Sequence, residues 1–388
     1  MKRHIDLLLE FSIPLILGVC VALSWVNIWP EHYHSFLHDP FIAGISLHFL
    51  TNDLFMALFF GIAAVEITQS CLPGGDLHPL KRAVNPLLAT VGGVVGPVSL
   101  YVLCNAFFGS PALDRGWGIP MATDIALAWL AARFIFGKGH PAISFLLLLA
   151  VADDALGLVV IAIFYGDPLM PAQPVWLLLT AAAMAICYLL RHRGVTNYWP
   201  YLLAGGSLSW AGLFLAHLHP ALALVFVIPF LPHRPVETAH LFDEDPSDRS
   251  PLSSFEHDWK KFVDVGLFMF GVVNGGVLFS SVGTVTWLVV GALIVGKMIG
   301  IFLFSLLGSR FGFPLPTGMG KRELLATGIV AGIGFTVALF MAGEAFTDPV
   351  IASGAKMGAM LSIFAFVPAV VVMKMGKRQK EKTVKAVG

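Results

Sequence analysis

Residues 148–160 read LLAVADDALGLVV and set Asp153 beside Asp154 in an apolar run, where from Ile143 to Phe164 no other residue is charged. An aspartate at the centre of a membrane helix costs about 2.5–3.5 kcal/mol, and this run carries two in succession. Residues one apart on a helix point about 100° away from each other, so the two carboxylates cannot face one partner. One can meet a buried base while the other faces a hydrated cavity. Two neighbouring anions disfavour double ionisation, and a nearby ammonium opposes that effect. A deprotonated pair presents hard oxygen ligands suited to a small alkali cation. Competition between protons and a cation for such a carboxylate is the chemistry of exchange.

The rest of the chain identifies the solvent. Of 388 residues, 57% are hydrophobic and 12% are charged, about half the charged fraction of a soluble domain. The sequence predicts an all-α polytopic membrane protein, a single transporter domain over 1–388, with about 12 spans of bilayer length. They fall near 10–29, 46–67, 84–108, 119–136, 141–165, 174–191, 197–215, 217–232, 259–279, 285–307, 323–346 and 353–374, with 233–258 a cytoplasmic linker. Lys and Arg concentrate at both termini and in alternate loops, at Lys81, Arg82, Lys138, Arg191, Arg193, Arg310, Lys321 and Arg322. The intervening loops hold Arg115 alone within 109–118 and none in 30–45, 166–173 or 280–284. The positive-inside rule then places both termini in the cytoplasm, as an even span count requires. The basic, apolar start resembles a signal peptide, but its removal would invert the loops, so it is read as the first span. Four cysteines without C-x-x-C spacing predict free thiols.

Charges within spans are functional candidates, because each must be paired or hydrated. Glu66, Glu344 and Lys356 lie near span ends, where snorkelling suffices. Asp53, after Asn52, has a bland reading as a polar contact within the bundle, and Asp264, about one turn into the ninth span, as an interface position. Asp124, Asp153, Asp154 and Lys297 are close to mid-membrane. Two spans carry interruptions: GIPMATDIALAWL, with Pro120, Thr123 and Asp124, and GIVAGIGFTVALF, with Gly328, Gly332, Gly334 and Thr336. These are spans 4 and 11, each second in its group of three, and the groups enter from opposite faces. That pattern predicts an inverted-topology repeat, about 84–165 and 285–374, with two crossed discontinuous helices at the site. Asp124 would offset facing helix N-termini and Lys297 facing C-termini.

The stretches NDLFMALFFGIAAVEI, GWGIPMATDIALA, LAVADDALGLVVIAIFY, HPALA, FEHDW, VGKMIGI and GIVAGIGFTVALF together resemble the NhaA family of bacterial sodium/proton antiporters, in family order from about residue 10 to 374. The resemblance implies a carrier, not an enzyme, in the bacterial inner membrane. It would export Na⁺ or Li⁺ for a larger number of protons by alternating access, serving pH and sodium homeostasis without a cofactor. Asp154 would be the cation ligand, Asp153 its partner in Na⁺ and proton binding, paired to Lys297, with Thr123 and Asp124 lining the site. His219, Glu256 and His257, with Glu66, match a region linked to pH regulation. AAVEITQSC keeps Glu66 without the family's following basic and acidic residues, and the basic residues before Glu256-His257 are missing. The stretch from Asp39 to Asn52 reads as too short for the family's dimerising β-hairpin, predicting a monomer or a weak dimer held by helices or lipid. A sodium-coupled organic anion symporter would need polar substrate readers beyond Lys297. An intramembrane aspartyl protease would need converging aspartates and G-x-G-D, and a retinal-type pump a seven-span chain. No feature points to nucleic acid.

Overall fold

The computed structural model describes residues 13–42, 44–73, 80–166, 171–233 and 250–375. It is helical apart from one two-stranded pairing. Among the described residues, six helices are long and apolar enough to cross a membrane, or eight if each of two bent pairs counts as one span. The spans expected first, seventh and eighth correspond to shorter apolar helices. Most of the expected linker, 234–249, lies outside the described residues. Its last part is helix, because Ser250 caps Ser253 N and Pro251 occupies the first turn, where proline's missing N–H costs nothing.

The chain forms two compact units. The first comprises Met1–Pro79 and Leu158–Gly276, the second Leu80–Gly157 and Val277–Gly388. In the first unit, helix α1 (Ile13–Ile28) and α2 (Pro30–His38) precede strands β1 (Pro40–Ile42) and β2 (Ile45–Ser46). Helix α3 (Leu47–Cys71) contains a π-helical turn at Leu50–Phe55. Further on come α8 (Pro174–His192), α9 (Tyr201–Leu215), α10 (Pro220–Phe230, wound as a 3-10 helix) and α11 (Pro251–Asn274). His217, at φ 58°, separates α9 from α10, where the sequence placed the boundary between spans seven and eight. Val65, Tyr201, Val227 and Phe255 centre its core. Tyr33 of α2 reaches α11, donating its hydroxyl proton to Val272 O at 2.6 Å.

The hairpin corrects the expectation that 39–52 is too short for one. Pro40 pairs with Ser46 and Ile42 with Ile45, antiparallel. Gly44, at φ 81°, supplies the left-handed turn residue that closes so short a loop.

The second unit holds α4 (Leu80–Phe108), α5 (Pro111–Met121, a 3-10 helix), α6 (Ile125–Phe136) and most of α7 (Pro141–Phe164). It also holds α12 (Thr284–Arg310), α13 (Lys321–Ala331), α14 (Phe335–Ala345) and α15 (Pro349–Met375). The interruptions expected in spans 4 and 11 are breaks in the structure: α5 and α6 meet at 58°, α13 and α14 at 46°. Nine of the eleven residues of α14 are buried, as expected of an interior helix apolar on every side. Helices α4 and α12 meet through Gly92, Gly96, Gly296 and Gly300, where an added Cβ on any of the four would strike the facing backbone. This small-xxx-small contact lets two membrane helices approach closely. It fixes the height of Lys297, the residue after Gly296. A π-helical turn at Ala292–Gly296 directly precedes that lysine. The four cysteines are free thiols.

Candidate ion-binding site

Non-helical backbone at membrane depth survives only where other groups satisfy it, and the two breaks satisfy each other. Asp124 N donates to Ile333 O at 2.7 Å, and Thr123 Oγ1 donates to Ala331 O at 2.8 Å. The glycines of G-I-G permit this approach: a Cβ on Gly334 would lie 2.9 Å from Ala122 O. Gly334 N is held by Ser362 Oγ of α15 at 3.1 Å.

Asp124 caps two helix starts. Its Oδ1 accepts Leu127 N of α6 at 3.0 Å, and its Oδ2 accepts both Thr336 N at 3.1 Å and the Thr336 hydroxyl of α14. An acceptor-only carboxylate there neutralises the positive ends of α6 and α14, as its sequence position suggested. Both oxygens are engaged by fixed donors.

Asp153 and Lys297 form the other half of the site, with neither side chain exposed. Lys297 Nζ lies 2.5 Å from Asp153 Oδ2. The ammonium also donates to Met121 O, the last residue of α5, so it offsets the negative end of that half-helix. Thr123 Oγ1 is 2.9 Å from Asp153 Oδ2. A threonine hydroxyl has one proton, so Asp153 and the Ala331 carbonyl compete for it. Asp153 Oδ1 is buried and accepts no hydrogen bond among the described residues. Asp154, the next residue on α7, is half-buried where Asp153 is fully buried. The two side chains thus differ in exposure, although Asp154 Oδ1 is buried like Asp153 Oδ1. Thr123, Asp124, Asp153, Asp154 and Lys297 all belong to the second unit. The sequence did not anticipate the backbone acceptors at Met121 and Ala331, or Ser362.

The residues expected in pH regulation lie in the first unit. Glu256 and Glu66 flank Lys260, whose Nζ is 3.5 Å from Glu256 Oε1 and 3.9 Å from Glu66 Oε1. Gln69 Nε2 donates to Glu256 Oε2 at 2.9 Å. The cation missed in the sequence follows the Glu256-His257 pair, one helical turn on, instead of preceding it. His257 is exposed. His219 is buried and starts α10, its Nδ1 accepting Ala221 N at 3.2 Å. Asp124 and Asp153 do not pair as a protease dyad: Asp124 is directed to Leu127 and Thr336, and Asp153 to Lys297 and Thr123.

Paired discontinuous helices, with a carboxylate at their starts and an ammonium at an end, define a secondary ion transporter. Residues 9–373 match the family model described as Na+/H+ antiporter 1. The chain is 65% identical over 375 residues to the Na(+)/H(+) antiporter NhaA of Geotalea uraniireducens, covering 97% of each chain. It is 59% identical over 384 residues to that of Desulfitobacterium hafniense, covering 99% of this chain and 98% of the relative. A solved structure of the sodium proton antiporter MjNhaP1 from Methanocaldococcus jannaschii at pH 8 shares the fold, with TM-score 0.53 and 15% identity, over 96% of this chain and 100% of that one. The chain belongs to the NhaA family of sodium/proton antiporters, which are transporters and not enzymes.

Proposed function

We propose that this protein exchanges Na⁺, and Li⁺, for protons across a bacterial inner membrane, with Asp154 and Asp153 as the shared ligands. The observation that carries this is the buried Asp153–Lys297 pair at the joined breaks, with Asp154 on its more open side. A small cation arriving at Asp154 recruits Asp153 by competing with Lys297 Nζ for its carboxylate. Binding there requires both carboxylates to be ionised, so cation entry and proton departure are linked at the same oxygens. Protons held by Asp154 leave as well, which makes the exchange electrogenic, with more protons moved than cations. Asp124 stays the fixed anion of the helix starts, and Thr123 trades its one proton between Asp153 and Ala331.

The family fold supports reading the remaining helices as completing 12 spans with both termini cytoplasmic. The stretches read as repeats, 84–165 and 285–374, fall almost wholly within one compact unit, which supports the inverted repeat with spans 4 and 11 crossing. The hairpin offers a strand of only three residues, too short an edge for a strong strand-mediated dimer, so a monomer or a weak dimer held by helices and lipid is proposed. Glu66, Glu256 and Lys260 form the cytoplasmic charge cluster of the first unit, where His257 is exposed to solvent, and they are proposed to set the pH range.

The test is purified protein in proteoliposomes. Adding Na⁺ or Li⁺ to vesicles with an acidic interior should release protons and generate a potential; an organic anion should not be needed. Vesicles that move no protons on either cation refute the proposal.

A further inference from the structure

The first unit carries a second set of proton acceptors, far in sequence from the aspartates. His34 and His38 of α2 stack with ring centroids 5.9 Å apart, and His38 stacks on His48 of α3 at 5.3 Å. The rings run inward. His34 and His38 are exposed and His48 is half-buried, whereas Asn52 and Asn274 are buried. Asn52 Nδ2 lies 3.1 Å from His48 Nε2. Asn52 and Asn274 form a reciprocal amide pair, at 2.8 Å from Asn274 Nδ2 to Asn52 Oδ1 and 3.4 Å in return. Asn274 Nδ2 also donates to Phe270 O at 3.3 Å, and Asn274 is the last residue of α11.

Donor accounting makes this a relay. Asn52 has two amide hydrogens and one oxygen acceptor, and the pair with Asn274 uses the oxygen and one hydrogen. The second hydrogen points at His48 Nε2, which must therefore be the unprotonated nitrogen of a neutral ring. A proton on Nε2 sets donor against donor. Turning the Asn52 amide over cures that clash but opposes two NH₂ groups across the Asn52–Asn274 pair. Turning Asn274 as well moves the mismatch to Phe270 O. We propose that His48 is a proton-binding site whose occupancy loosens the contact between α3 and the end of α11, with His34 and His38 as its solvent-facing antechamber.

The surroundings set how it charges. The His38 and His48 rings, 5.3 Å apart, repel each other when both are charged. The other titratable groups nearby are Glu31, His32 and Tyr33 on α2 and Asp39 at its end, which accepts the Ser35 hydroxyl. Asp53 lies one turn along α3. Residues 13–28 of α1 hold only Cys20, and residues 265–274 of α11 hold no titratable side chain. That the ladder meets the outer solution rests on the orientation proposed above; the relay itself does not. Acid on that side would then weaken the outer end of the first unit independently of the aspartate site.

The experiment is hydrogen–deuterium exchange of detergent-solubilised protein without Na⁺ from pH 8 to 5.5, corrected for the intrinsic pH dependence of amide exchange. In wild type, exchange in 47–58 and 268–276 should rise roughly tenfold as pH falls through the imidazole range near ~6.5, as expected for losing one buried hydrogen bond. His48→Gln, whose side-chain oxygen accepts from Asn52 at every pH, should stay flat. So should His48→Phe, which keeps a ring on His38 but cannot titrate. A flat wild type, or the same rise in both variants, overturns the relay. Because no transport is measured, this result is separate from whether the protein exchanges Na⁺ for protons.

Discussion

Two carboxylate–lysine contacts in this protein use the same chemistry to different ends. In the second unit, Lys297 and Asp153 meet at 2.5 Å with no exposure of either side chain. In the first, Lys260 lies 3.5 and 3.9 Å from two glutamates, with 48% of its side chain exposed. Water screens the second set, and exposed pairs contribute about 0.2–1 kcal/mol. The buried pair cannot be spared one partner, since an unmatched buried charge costs about 3–5 kcal/mol. The pair proposed to serve transport is therefore the one whose charge state bears on the stability of the fold.

The comparison breaks first at Asp154. Asp154→Asn removes the anion on the open side of the doublet and should abolish Na⁺-induced proton release in everted vesicles, while the protein still inserts. Near-normal exchange by that variant would move the cation site elsewhere.

Lys297→Ala tests the buried contact itself. It should destabilise the detergent-solubilised protein by about 3–5 kcal/mol, read as a lowered melting temperature. Without the ammonium, the ionised form of Asp153 is uncompensated, so exchange should begin at more alkaline pH, with weaker apparent Na⁺ affinity at pH 7, where a proton takes the cation's place. Lys297→Arg keeps the charge and should shift the pH profile less, although its planar head packs differently. An Ala profile that overlays wild type would show that this lysine does not govern the carboxylate.

A smaller loss is expected at Thr336→Val, which removes a hydroxyl from Asp124 but leaves the backbone N–H in place. One hydrogen bond to a charged group is worth about 1.5–3 kcal/mol. Thermal unfolding should register it, with the pH midpoint of exchange nearly unchanged. A large pH shift would mean that Asp124 takes part in proton exchange rather than in capping.

Smallest of all should be Lys260→Met. Stability should fall by under about 1 kcal/mol and less in high salt, because the pair is screened. A drop as large as that of Lys297→Ala would erase the contrast between the two contacts.

How much of this was legible depends on whether a side chain or the backbone carried the information. Asp153, Lys297 and Asp124 were readable because charge in an apolar run has few innocent explanations. The breaks were readable because Pro120, Gly332 and Gly334 interrupt spans. The partners that complete the site, Met121 O and Ala331 O, are carbonyls that every residue has, so no residue type announces them. Lys260 was overlooked because a cation was sought before Glu256, whereas helical geometry brings the residue four later to the same face. The hairpin was missed by counting residues between spans. Gly44 needs few, since its positive φ turns the chain in one step. Likewise the start of α11 was set too late, because the apolar run begins well after the Ser250 cap that starts the helix.

The four glycines between α4 and α12 have a mechanical meaning. Gly92 and Gly96 on one helix, and Gly296 and Gly300 on the other, bring backbone against backbone, and each pair is separated by about 6 Å of helix rise. Sliding one helix past the other would drive larger side chains that flank the glycines, such as Phe304 or Leu88, into gaps that admit only hydrogen. The two helices therefore behave as a riveted beam, and Lys297 is bolted to it. Beside this beam lie the two breaks, tied to each other through Thr123, Asp124 and Thr336. The lysine is the anvil of the site: the beam that carries it cannot slide, so Asp153 meets a fixed charge.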